Sequence, residues 1–147
     1  MTKKVIYGIQ QVGVGVADVS AAFAWYGKNL CSNILVFDDD NTATHMAPYM
    51  GGESHKKRAI LAINMRGGSG YELWQYLDRT PEAARTPVLM GDLGIFSVSV
   101  KSKNIQASFK FLKDNHVDIL SDIQKAPDGT PFFFIQDNEG NILQIIE

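Results

Sequence analysis

The stretch "IQQVGVGVADVSAAFAWYGKNL", Ile9 to Leu30, changes period part-way, and that change decides the fold. From Gln11 to Val16 the residues alternate. Val12, Val14 and Val16 share one face and Gln11, Gly13 and Gly15 the other, which is the period of a strand. After Asp18 the apolar residues Val19, Ala22, Phe23, Tyr26 and Leu30 recur at three- and four-residue steps, one stripe of a helix. Asp18 or Ser20 stands where a helix cap is expected. The valine face belongs to a core, so Gln11 and the glycines face something else.

Beyond Leu30, "SNILVFDDD" reads as extended and "TATHMAPYM" as a short, weak helix or ordered loop. "AILAINM" (Ala59 to Met65) and "YELWQYL" (Tyr71 to Leu77) read as the arms of a hairpin joined by "RGGSG", whose glycines permit turn geometry. No helix follows, which argues against a phosphate-cradling loop. "DRTPEAARTPVLMGD" has the prolines and glycine of a linker. The pattern then restarts. "GIFSVSV" (Gly94 to Val100) alternates like the first strand, and "NIQASFKFLKDN" (Asn104 to Asn115) repeats the stripe with Ile105, Phe109 and Leu112. Laying Gln11 on Ile95 puts Val12, Val14 and Val16 on Phe96, Val98 and Val100. Phe23 and Trp25 then meet Phe109 and Phe111 if the second loop is two residues longer. "ILSDIQKA", "PFFFIQD" and "NILQIIE" supply three more strands, with turns in "APDGTP" and "DNEGN". The last strand echoes "YELWQY", with Tyr71, Glu72 and Leu73 on Leu143, Gln144 and Ile145.

The expected fold class is therefore α+β: two tandem βαβββ modules forming a curved eight-stranded mixed sheet around a cup, with helices near 19–29 and 104–115 outside. The modules span 1–80 and 94–147, joined by a linker at 81–93, in one compact domain. A chain of 147 residues, 45% of them hydrophobic, can bury such a core. With a net charge of -2, its one basic cluster, "HKKR" (His55 to Arg58), reads as a solvated loop, and no nucleic-acid surface is expected. Cys31 has no internal partner for a disulfide. It follows a helix end, where the dipole disfavours a thiolate, and reads as a buried or partly buried structural residue. No stretch reads as a signal peptide or membrane span, and a cytoplasmic location is expected.

With its internal repeat and the stretches "QQVGVGVADVSAAFAWY", "YELWQY" and "DNEGNILQIIE", the chain resembles the vicinal oxygen chelate superfamily. That group includes glyoxalase I, extradiol dioxygenases, methylmalonyl-CoA epimerase, fosfomycin-resistance transferases and the bleomycin-binding proteins. In its metal-dependent members, the resemblance implies, the first and last strands of each module project one ligand each into a U-shaped cup. The usual set is His or Gln, Glu, His and Glu around a divalent ion. The matching positions here are Gln11, Glu72, Ile95 and Gln144. Glyoxalase I is similar at the doubled glutamine, and Glu72 is a hard anionic donor. Ile95 offers no donor atom and Gln144 only a neutral amide, so the site is degenerate and no cofactor is expected. A divalent metal would need ligands from other modules or subunits. His45 and His55, expected in loops, and His116, past the second helix, do not repair the set.

The alternation also gives the lining of the cup: Gln11, Gly13, Gly15, Glu72, Trp74, Tyr76, Ile95, Ser97, Ser99, Ile142 and Gln144. Gln11 and Glu72 are expected as polar neighbours bonded across the sheet, with Glu72 alternatively a general base beside aromatic surface. Gln11, Trp74, Tyr76, Ser97, Ser99 and Gln144 are the candidate ligand-binding residues. Fold alone does not choose the chemistry. The first expectation is a small-molecule binder, resembling the bleomycin-binding proteins, whose ligand brings a cation or hydrogen-bond donor to Glu72. The alternatives are a metal-dependent lyase, isomerase or dioxygenase completed by other modules or subunits, and a non-catalytic half of a longer multi-module protein. A homodimer or partner modules are expected in each case.

Overall fold

The computed structural model describes residues 9–67, 69–82 and 85–147. The chain forms two compact units that divide between Pro81 and Glu82. Two residues of the expected linker, at 83 and 84, and one at the hairpin tip, at 68, lie outside the described residues.

The first unit runs β1 (Gln11–Gly15), α1 (Val19–Leu30), β2 (Ile34–Thr42), a 3-10 turn (Thr44–Tyr49), β3 (Lys56–Asn64) and β4 (Ser69–Tyr76). Its sheet has the order β1-β4-β3-β2, with β1 parallel to β4 and the other pairs antiparallel. The helix starts where Asp18 accepts from the amides of Ser20 and Ala21, at 2.9 and 3.0 Å, satisfying two otherwise orphaned donors. Val19, Ala22, Tyr26 and Leu30 are buried, as the stripe requires, and Tyr26 lies 4.6 Å from Tyr71, ring centre to ring centre. Val14, Val16, Ile60, Ala62 and Leu73 complete this helix-side core. The helix ends on Cys31 in the left-handed region, φ 56°, with its amide on the Tyr26 carbonyl. That conformation turns the thiol outward, so Cys31 is exposed rather than buried.

The second unit repeats the scheme: β5 (Ser97–Lys101), α2 (Ile105–Asp114), β6 (Asp118–Ile119), β7 (Gln124–Lys125), β8 (Pro131–Gln136) and β9 (Ile142–Ile146). Its order is β5-β9-β8-β6, with β7 also on β8 and β5 parallel to β9. Asn104 caps α2 by accepting from Ala107, and Ile105, Leu112, Phe133, Ile135, Leu143 and Ile145 are buried. The α+β class and the repeat hold, but the described residues form two sheets with nine strands in place of one sheet with eight. The expected strand "ILSDIQKA" is interrupted because the Ser121 hydroxyl accepts the Phe134 amide at 3.1 Å, where a ladder would use a backbone carbonyl.

Two further expectations are corrected. "HKKR" is no solvated loop: Lys56, Lys57 and Arg58 begin β3, and Lys57 is only 4% exposed. Strand pairing brings them to the acids of β2. Lys57 donates to the Asp39 carboxylate, and Arg58 grips Asp38 at 2.8 and 2.6 Å through two nitrogens. The second correction is one of register. Gln11 pairs with Gly70, whereas Ser97, not Ile95, pairs with the matching residue Ile142. One constant offset then carries Gln11 onto Ser97, Val14 onto Val100, cap Asp18 onto cap Asn104 and Val19 onto Ile105, with no longer loop needed. Ile95 lies before the strand and is 75% exposed.

Candidate functional site

Each sheet has a face turned away from its helix, and the strand period selects what it carries. On the first sheet this face holds Gln11, Gly13 and Gly15 from β1 and Glu72, Trp74 and Tyr76 from β4. Opposite them on β3 stand Leu61, Ala59 and Lys57, and beyond these on β2 stand Phe37, Asp39 and Asn41. Gly70 is required here. A Cβ on it would come within 2.7 Å of the Ala62 carbonyl oxygen, a contact that no backbone shift relieves cheaply. The strands can therefore close up, and Gln11 reaches across this position to donate its side-chain amide to the Glu72 carboxylate.

The acceptors on this face are engaged. Glu72 takes Gln11, and Asp39 takes Lys57 and the Asn41 amide, the latter at 2.6 Å. The aromatic groups form a second patch. Trp74 and Tyr76 lie 6.2 Å apart in an edge-on arrangement, both half-buried, with the Lys57 ammonium 5.2 Å from the indole ring. The Trp74 Nε1 is buried and has no hydrogen-bond partner, which ordinarily costs about 1–3 kcal/mol. The Tyr76 hydroxyl donates to Met50 Sδ at 2.8 Å, just after the 3-10 turn.

At the far end of β4, His55 meets Tyr76 edge-on at 6.0 Å and places Nδ1 3.2 Å from Asp78. Asp78 also accepts the Lys56 amide at 2.8 Å. That backbone bond outweighs the opposing desolvation and, with a lesser contribution from His55, holds the Asp78 carboxyl below the usual carboxylate range. The period of β3 could have placed His55 on this face, but reading "HKKR" as a loop hid it. Arg79 lies over the Tyr76 ring at 5.1 Å and is the other residue that sequence reasoning missed.

On the second sheet the corresponding face carries Ser97, Ser99, Ile142 and Gln144, with Phe134 and Phe132 from β8. The Ser99 hydroxyl donates to Gln144 Oε1 at 2.7 Å, so the polar pair satisfies itself. Of the expected site residues, Gln11, Glu72, Trp74 and Tyr76 share the first sheet's face, and Ser97, Ser99 and Gln144 share the second's. Ile95 belongs to neither. The ligand positions of the resemblance thus carry two amides, one carboxylate and the Ser97 hydroxyl, a donor set short of imidazole and charge that does not fit a resident divalent ion. Among the described residues no three His, Cys, Asp or Glu side chains gather as a metal cluster.

A family model described as Glyoxalase/Bleomycin resistance protein/Dioxygenase superfamily matches residues 8–145. Among solved structures, a glyoxalase family protein from Bacillus cereus superposes with TM-score 0.78 at 16% identity, covering 100% of this chain and 97% of that one. A glyoxalase family protein from Enterococcus faecalis gives 0.71 at 18% identity, covering 96% and 98%. A glyoxylase/bleomycin resistance protein/dioxygenase domain from Frankia sp. EAN1pec gives 0.69 at 13% identity, covering 97% and 98%. At these identities the likeness speaks for the fold alone. No curated protein matches the chain. Among the described residues no helix is long and apolar enough to cross a membrane. With a family model that covers nearly its whole length, the chain belongs to the Glyoxalase/Bleomycin resistance protein/Dioxygenase superfamily.

Proposed function

We propose that this protein binds a small organic molecule on the Trp74 and Tyr76 face of its first sheet, and does so without a resident metal. The observation that carries the reading is the Trp74 indole, a large aromatic on the sheet face away from the helix whose N–H has no partner. Aromatic side chains bury large areas, and an indole N–H ordinarily finds an acceptor when buried. A ligand seated there would cover the part of the ring left exposed, and a shift of the side chain on binding would give the N–H an acceptor. Gln11 is the polar neighbour of that surface, Ser97, Ser99 and Gln144 are proposed as a separate ligand surface on the second sheet, and the cytoplasm is the compartment we assign to the protein.

The test is elemental analysis of the purified protein together with titration of Trp74→Ala. Protein without stoichiometric divalent metal, which binds flat organic molecules and loses affinity in the variant, supports the reading. About one ion per chain, lost on Glu72→Gln, would overturn it. That result would favour the second reading, which rests on the adjacent Gln11 and Glu72: a metal-dependent lyase, isomerase or dioxygenase with Glu72 as ligand or base, completed by ligands from other modules or subunits.

A further inference from the structure

We propose that the end of this face where His55 and Arg79 flank Tyr76 receives an oxyanion, carried by a flat, apolar ligand. The proposal rests on the ligand-binding reading above and gives it a chemical class.

The argument is an accounting of free valences. Asp78, the carboxylate that His55 faces, is used twice, by the His55 Nδ1 and by the Lys56 amide. With Nδ1 turned to Asp78, the other ring nitrogen of His55 is the one left for a partner, a donor in the protonated ring, and none of the hydrogen bonds among the described residues occupies it. An imidazole oriented by a carboxylate on one nitrogen is set to work through the other. Arg79 is exposed and forms no ion pair among the described residues, yet it is held at the Tyr76 ring. Its planar fork of donors matches the paired oxygens of a carboxylate, sulfonate or phosphate.

The carboxylates on the rest of this face already carry partners. Glu72 is bonded to Gln11, and Asp39 to Lys57 and Asn41. Glu72 also stands four residues from Tyr76 along β4, roughly 13 Å at strand rise, beyond the screening length of about 8 Å at physiological salt. Its charge therefore does not repel an anion at Tyr76. The proposed ligand has the opposite polarity from the one expected from the sequence, which pairs a cationic or donor ligand with Glu72. The Arg79 fork and the protonated His55 ring suit a ligand that brings acceptors to this end, and the edge-on Trp74 and Tyr76 rings fit the flat apolar body beside it.

Two fluorescent probes with the same ring body isolate the anion: 8-anilinonaphthalene-1-sulfonate and uncharged N-phenyl-1-naphthylamine. The sulfonate is expected to bind at least about tenfold more tightly, the scale of one charge-assisted hydrogen bond. Arg79→Gln and His55→Gln should each remove most of that preference, read as the ratio of the two probes' affinities, and Trp74→Ala should weaken both probes. Thermal melting checks folding. If His55→Gln fails to fold, Arg79→Gln, an exposed and unpaired side chain, decides alone. Equal affinity for the two probes, or a preference that survives Arg79→Gln, overturns the anion site. If Trp74→Ala still weakens both probes in that case, the ligand-binding reading stands without it. If Trp74→Ala changes neither, both readings fall.

Discussion

The two units share one topology and one pair of helix caps, yet they put different chemistry on the same sheet positions. Where the first unit has Gln11, Glu72 and Trp74, the second has Ser97, Gln144 and Ile146, and Phe132 and Phe134 stand where the first has Ala59 and Leu61. The first face holds charges, an unpartnered indole and an imidazole. The second holds rings and a hydroxyl-to-amide pair that satisfies itself. A repeat conserves what the fold needs, the valine strand and the helix stripe, while the face away from the helix is free to diverge. The site of work is therefore expected in the first unit, and the substitutions below press on that asymmetry.

The largest effects should be equal in kind on both sides. Leu73 and Phe133 are fully buried in the helix-side cores of their units. Leu73→Ala is expected to lower stability by about 2–5 kcal/mol and Phe133→Ala by about 3–5, read from denaturant midpoints. A loss well below 1 kcal/mol in either would mean that unit lacks the core described. Next comes the contrast between faces. Trp74→Ala should weaken ligand binding by about 2 kcal/mol with cooperative unfolding retained. Ile146→Ala, at the matching position of β9, should leave binding unchanged. Equal losses from both would erase the asymmetry, and unfolding of the Trp74 variant would put that indole in the core.

The helix caps give the next comparison. Asp18 accepts two amides and Asn104 one, so Asp18→Ala should cost about 1 kcal/mol or more and Asn104→Ala somewhat less, by thermal melting. A gain of under about 1 kcal/mol is expected from Cys31→Gly, since a glycine occupies φ 56° without the clash of a Cβ. No gain would place the strain elsewhere.

Acid should act on both units in the same direction. Arg58 bonding holds Asp38 below its ordinary value, and the Thr130 amide does the same for Asp128. A carboxyl depressed on folding contributes stability that is complete above the unfolded value, near about 4, and is lost as pH falls through the folded one. Asp38→Asn and Asp128→Asn should thus each shrink the difference between denaturation midpoints at about pH 6 and about pH 3. An unchanged difference in either variant would remove that carboxyl from the acid response.

Much of this was legible in the chain before any coordinates. Val12, Val14 and Val16 announce a strand, Val19 to Leu30 a helix, and their recurrence after Gly94 announces the repeat. The register of the repeat was not legible for a definite reason. Sliding "GIFSVSV" by two residues leaves every side chain on its original face, so alternation cannot tell Ile95 from Ser97 as the partner of Gln11. The pairing of "DDD" with "KKR" was hidden too, because it depends on which strands become neighbours. The orphaned Trp74 nitrogen is a property of packing and has no signature in the residue pattern.

The aspartates of β2 have a second effect, on how the protein behaves at high concentration. β2 is an edge of its sheet, and a nine-residue edge strand offers a row of unpaired backbone groups to any passing chain. Its first half carries Ile34, Leu35 and Val36, each 43–52% exposed, the composition that recruits another strand. A register shift between Leu35 and Phe37 breaks that run, and Asp38, Asp39 and Asp40 follow it directly, crowding the edge with like charge. The carboxylates that clamp Lys57 and Arg58 from one side thus act as gatekeepers against aggregation on the other. Protonating Asp38 removes its part in both protections, so an acid-stressed sample should lose solubility as well as stability.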